Sequence, residues 1–155
     1  ALPHYRGALR RFETMGQPRG VRIVHDYAHH PTEVRATLST ARALQPRRLW
    51  CVFQPHTYTR TRALLQEFAT CFDDADELVL LPIYAAREPD PGDISSEVLA
   101  AAVAARPGSP CCRCLSGFDE AEAFLRARTA PGDLVLVLGA GTVQGLAERL
   151  AREAP

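Results

Sequence analysis

Three short stretches hold the residues whose types and spacing could do chemistry: HDYAHHPTE (25–33), FQPHTYTRTR (53–62) and LGAGTVQG (138–145). The first sets His25, His29 and His30 beside the carboxylates Asp26 and Glu33, with Pro31 between them. Such a group can hold a metal, move protons, or satisfy the polar groups of a strand-to-helix turn. A metal needs its ligands to converge. His25 and His29 fall on opposite sides of an expected strand–helix junction, so helical i, i+4 geometry does not join them. Glu33 stands near the third helical position, where a glutamate reaches back to cap the helix. No metal site is expected here.

In the second stretch His56, Tyr58, Arg60 and Arg62 project from a turn and the first helical residues. Guanidinium suits carboxylate or phosphate because its donors bind in pairs. Cations at a helix N-terminus oppose the helix dipole, a local cost that makes sense if an anion sits there. A solvated helix start is the plain alternative. In the third stretch Gly139 and Gly141 permit a tight turn and close backbone approach. Gln144 occupies the place of the last glycine of a GxGxxG fingerprint, and tight packing explains this turn equally well. A fourth candidate, CCRC (111–114), lacks a second ligand pair at zinc spacing and reads as a strand.

These groups need elements to position them. Arg11–Met15 and Val21–Asp26 read as strands joined by the turn GQPRG, a short N-terminal hairpin. A helix follows from Pro31 to Leu44, with Val34, Leu38, Ala41 and Leu44 at helical spacing. Strands at 48–53, 77–83, 110–115 and 133–139 then alternate with helices at 61–72, 95–105, 119–128 and from Val143. This order predicts an α/β, Rossmann-like, mostly parallel sheet with helices on both faces. Ligands bind such sheets beyond the carboxyl ends of the strands, which is where the three stretches fall. The segment 84–94 is the longest irregular one and a candidate for mobility.

Composition narrows the chemistry. The 155 residues are expected to form one domain, with 18 basic and 18 acidic residues and no charge bias toward nucleic acid or membrane. All the basic residues are arginine. A phosphate loop ending Gly-Lys-Ser/Thr is therefore absent from this chain, and ATP chemistry would need that lysine from elsewhere. The odd count of five cysteines and the lack of a secretory signal suggest reduced thiols and a cytoplasmic protein.

RRFE (10–13), HDYAHHPTEVRATL (25–38), FQPHTYTRTR (53–62) and GAG (139–141), in this order, resemble the C-terminal domain of the UDP-N-acetylmuramate–L-alanine ligases of the Mur ligase family. The resemblance implies one domain, residues 1–155, excised from a three-domain enzyme, as Ala1 in place of methionine also suggests. It implies ATP-dependent amide synthesis for peptidoglycan precursors: ATP phosphorylates the muramoyl carboxylate, and L-alanine attacks the acyl phosphate. The N-terminal domain would hold UDP-N-acetylmuramate, and the central domain the P-loop, its lysine and the Mg2+ ligands. The C-terminal domain would close over the ATP site and bring the amino acid, and would be inactive alone, with no catalytic residue of its own.

By the same resemblance Tyr27, His56 and Arg60 bind L-alanine, with Arg60 on its carboxylate, while Asp26 and His29 lie at the nucleotide. Departures from the family pattern are His25 for aspartate, Thr57 for the arginine usual after His56, and Thr142 and Gln144 in the glycine turn. Related murein tripeptide ligases share the His–Pro segment and are the alternative. A non-catalytic Rossmann-like binding module is another.

Overall fold

A computed structural model describes residues 11–153. Ala1, and Arg10 at the head of RRFE, lie outside the described residues. The N-terminal hairpin pairs β1 (Glu13–Gly16) antiparallel with β2 (Arg22–Asp26), around a single 3-10 turn at Pro18–Gly20. The chain continues through α1 (Pro31–Ala43), β3 (Leu49–Phe53), α2 (Tyr58–Ala63), α3 (Leu65–Thr70) and β4 (Glu77–Leu80). It ends with α4 (Ser96–Ala104), β5 (Cys111–Cys114), α5 (Phe118–Arg128), β6 (Leu134–Leu138) and α6 (Gln144–Ala151). Among the described residues no helix is long and apolar enough to cross a membrane.

The six strands form one sheet in the order β1-β2-β6-β3-β4-β5, parallel except for β1. Side chains alternate between its faces, so each strand feeds two cores. On one face Val24, Cys51, Phe53, Leu78, Leu80 and Leu136 pack against Val34 and Leu38 of α1, Phe68 of α3 and Leu99 of α4. On the other, Ile23, Val52, Val79, Val135 and Val137 meet Leu125 of α5 and Leu146 and Leu150 of α6. Phe53 anchors the first core, its ring 5.5 Å from Phe68 and 5.3 Å from Phe72. Full burial of each such ring contributes about 1.5–3 kcal/mol.

Several boundaries differ from the sequence reading: the strand expected at 77–83 ends at Leu80, and the one expected from Arg11 starts at Glu13. The expected helix at 61–72 is two helices broken at Leu64, whose φ −112° and ψ 21° leave the helical region. Its first part starts earlier, at Tyr58, because the Thr57 hydroxyl accepts a hydrogen bond from the Arg60 amide at 3.2 Å and caps it. The 84–94 segment is not loose. The Tyr84 amide donates to the Pro55 carbonyl at 2.8 Å, the Thr59 amide to Glu88 at 3.0 Å, and Arg62 pairs with Asp93 at 2.8 Å.

The decisive feature is the place of β6. The last strand of the chain inserts between β2 and β3, and Asp26, Leu138 and Phe53 lie level across the three strands. The chain leaves β2 and β3 toward one face and β6 toward the other, so the sheet opens a crevice at this switch point. The three candidate loops meet there.

Candidate functional site

The β2–α1 turn is built on backbone amides. The Asp26 carboxylate accepts from the Ala28 amide at 2.8 Å and the Phe12 amide at 2.7 Å, tying the start of the hairpin to the site. Burial pushes the Asp26 carboxyl above its ordinary range despite these two bonds, and no ion pair to it exists among the described residues. His30 is the N-cap of α1: its Nδ1 accepts from the Thr32 amide at 3.3 Å. Glu33 answers by accepting from the amides of His29 at 3.3 Å and His30 at 3.2 Å, the reach-back expected from its position. Burial pushes the Glu33 carboxyl up, and those amides, with His29 and Arg11 nearby, bring it below its ordinary range.

His25, His29 and Glu33 do not converge. By strand alternation the buried His25 shares the α6 face with Ile23, whereas His29 and Glu33 belong to the opposite, α1 side. Among the described residues no group of three histidine, cysteine, aspartate or glutamate side chains could hold a metal ion. The CCRC segment is the edge strand β5, and all five cysteines are free thiols.

Across the carboxyl edge runs a row of four rings. Tyr27 meets His29 edge-on at 5.4 Å, His29 meets His56 edge-on at 5.7 Å, and His56 stacks on Tyr84 at 5.4 Å with 28° between planes. Burial, then the neighbouring His29 and the Arg60 charge, hold His56 below its ordinary range, with Glu88 opposing. Its imidazole is thereby kept neutral near pH 7. The Nδ1 atom of His56 is buried and, among the described residues, has no hydrogen-bond partner. Arg60 is half-buried and, among the described residues, makes no ion pair. A cation without a counter-ion beside a neutral imidazole suits a small carboxylate ligand.

The glycine turn is packed rather than open. A Cβ on Gly141 would lie 2.7 Å from Gln54 Oε1 and 2.7 Å from Tyr84 Cγ, so only glycine fits. The Gln54 side chain bonds Thr142 in both directions, Nε2 donating to its hydroxyl and Oε1 accepting from its amide, each at 3.1 Å. The close-packing explanation of this turn thus has direct geometry behind it.

All the sequence-selected residues, Asp26, Tyr27, His29, His56 and Arg60, sit at this one edge. Sequence reasoning missed Gln54, Tyr84 and the role of Thr57. Tyr84 could have been found by applying to β4 the rule applied to the other strands, since it stands just past that strand's carboxyl end. Thr57 adopts φ 66° and ψ 146°, a conformation costly for a β-branched residue, and sequence gives no sign of it.

An open, mostly parallel sheet whose switch-point edge carries rings and an arginine without an ion pair among the described residues defines a Rossmann-like domain. The chain belongs to the Mur ligase family, since the profile described as "Mur ligase, glutamate ligase domain" matches residues 10–141. It is 48% identical over 148 residues to the UDP-N-acetylmuramate–L-alanine ligase of Clostridium beijerinckii, covering 96% of this chain and 32% of that protein. The enzyme of the same description from Alkaliphilus metalliredigens is 41% identical over 152 residues, 98% of this chain and 32% of that protein.

Among solved structures, the murein peptide ligase of Psychrobacter arcticus superposes with a TM-score of 0.75 at 26% identity, over 91% of this chain and 29% of that one. The UDP-N-acetylmuramate–alanine ligase of Thermotoga maritima gives 0.72 at 22% identity, over 91% and 29% respectively, and shows the shared fold. The chain spans about a third of the length of the curated relatives it matches, 32% of the first two.

Proposed function

We propose that this domain is the C-terminal part of an ATP-dependent ligase that joins L-alanine to UDP-N-acetylmuramate through an acyl phosphate. The observation that carries the reading is Arg60, an arginine without an ion pair among the described residues, beside a histidine held neutral. Its support is the 48% identity to a ligase of that description. Arg60 takes the amino-acid carboxylate, while His56 and Tyr27 face the amino group and side chain. An amine must be unprotonated to attack an acyl phosphate, and a neutral imidazole beside it favours that form.

Asp26 and His29 form the nucleotide side. The Asp26 oxygens already accept backbone amides, so Asp26 fixes the turn and offers a nucleotide only its remaining lone pairs. ATP would be held mainly by other segments, because the chain has no lysine and its glycine turn is filled by Gln54 and Tyr84. Bound Mg2+ would neutralise phosphate charge, and its ligands belong to the central domain, outside this chain. The site is half of a cleft, and the domain closes over the ATP site to complete it. The compartment that fits this role is the cytoplasm.

The test is phosphate release by the complete polypeptide with ATP, UDP-N-acetylmuramate and L-alanine. Release that depends on all three supports the reading, and residues 1–155 alone should give none. A second reading, a murein peptide ligase, draws on the 0.75 superposition with the Psychrobacter arcticus enzyme. Replacing L-alanine by the tripeptide L-alanyl-γ-D-glutamyl-meso-diaminopimelate in the same assay separates the two.

A further inference from the structure

We propose that Tyr84 is a positioning residue for the amino acid: wedged between the Gly141 turn and His56, its ring sets the plane in which His56 meets the substrate. The inference rests on the function proposed above and deepens it. Among the described residues no hydrogen bond reaches either nitrogen of the His56 ring, and Nδ1 is buried with no partner at all. Ring rotation must therefore be fixed by contact. Tyr84 supplies the broad contact, stacked at 5.4 Å and 28°, while His29 touches only edge-on at 5.7 Å.

Tyr84 is itself held from behind. The Cβ that Gly141 lacks would come 2.7 Å from Tyr84 Cγ and 2.9 Å from its Cδ1, so the glycine turn lies directly against the ring. The glycine turn thereby acts on the amino-acid side of the cleft. The main chain around Tyr84 does not depend on the ring. His56 and Tyr84 form a parallel bridge, the Thr57 amide donating to the Tyr84 carbonyl and the Tyr84 amide to the Pro55 carbonyl, each at 2.8 Å. Removing the ring leaves this bridge in place, so its effect can be separated from a loss of fold.

The experiment uses the complete ligase polypeptide. Tyr84→Ala should raise KM for L-alanine roughly two- to tenfold, the range of one aromatic stacking contact. KM for ATP and for UDP-N-acetylmuramate should stay constant, and Tyr84→Phe should restore wild-type behaviour. Gly141→Ala should reproduce the alanine variant by displacing the ring. The groups facing His56 are His29, Arg60, Glu88 and Tyr84 itself, and burial leads the list of effects that hold it low. Tyr84→Ala should accordingly move the His56 ring titration, followed by NMR, toward its ordinary value, and Tyr84→Phe should leave it in place.

The proposal is overturned if KM for alanine is unchanged in Tyr84→Ala, if KM for ATP rises equally, or if phenylalanine does no better than alanine. Should the wild-type protein show no alanine-dependent turnover, the proposed function fails instead. The NMR titration then still decides whether Tyr84 sets the environment of His56.

Discussion

Asp133 and Asp26 belong to neighbouring, parallel-paired strands, Asp133 just before the amino end of β6 and Asp26 at the carboxyl end of β2. Both are buried, at 1% and 3% exposure, and both accept backbone amides. Asp133 also accepts from Arg47 Nε at 2.7 Å and from the Trp50 indole at 3.0 Å. Burial pushes its carboxyl up, yet Arg47, the Ala130 amide and Trp50 bring it below the ordinary range. Among the described residues Asp26 has no such ion pair, Arg11 acting on it only weakly, and burial keeps it above that range. The pattern extends along each edge. At the amino end Asp76 pairs with Arg42, and Glu77 with Arg48 and Arg113. At the carboxyl end, among the described residues, Arg60 makes no ion pair and the Nδ1 atom of His56 no hydrogen bond. The same residue types stabilise the fold where they are saturated and are left available where they are not.

The largest expected effect breaks the closed edge. Asp133→Ala removes a buried carboxylate from donors on three residues, Arg47, Trp50 and Ala130, and should cost about 3 kcal/mol in denaturant unfolding. It should leave KM for L-alanine unchanged in the protein that remains folded. Arg60→Ala should do the reverse: unfolding free energy within about 0.5 kcal/mol of wild type, but KM for alanine raised roughly ten- to hundredfold. A normal KM in that variant would remove Arg60 from the amino-acid site.

A smaller effect separates the aspartates by the sign of their pH dependence. The folded-state value of Asp133 lies below the ordinary 3.8, so its stabilisation is full above that value and is lost as pH falls through the lowered one. The value of Asp26 lies above 3.8, so its ionised form costs stability at neutral pH, and that cost is relieved as pH falls through the raised value. Unfolding free energies measured against pH should show wild type losing ground to Asp133→Asn on acidification and gaining ground on Asp26→Asn. Parallel slopes would erase the distinction.

Smallest is Thr57→Gly. It relieves a positive φ worth about 1 kcal/mol and costs a few tenths for the lost cap, a net gain of about 0.5 kcal/mol in unfolding. Equal or lower stability would show that Thr57 is not strained.

Most elements could be read from periodicity because the parallel strands are short apolar runs between amphipathic helices. Position was harder. That β6 inserts between β2 and β3 is a pairing between residues more than a hundred apart for β2, and no local pattern encodes it. The three loops could be assigned to the carboxyl edge from their place after strands, but not to adjacent strands. Asp26, His56 and Arg60 were legible through residue type and resemblance. The place of Tyr84 after β4 was legible too, but its contact was not, since that lies in a ring-to-ring stack on His56 and in the space left by Gly141. The break at Leu64 escaped as well, since apolar spacing continues smoothly through it.

The bridge between His56 and Tyr84 resumes strand pairing after Pro55 and Pro82 have interrupted it. Mechanically, this makes the loop after β4 an extension of the sheet instead of a hinge. His56 and Tyr84 then travel together as parts of one stiff plate, and Arg60 rides on the helix that Thr57 starts from the same plate. On the function proposed above, a swing of the domain would carry these residues as a preset jaw, with the distances inside it fixed before closure begins.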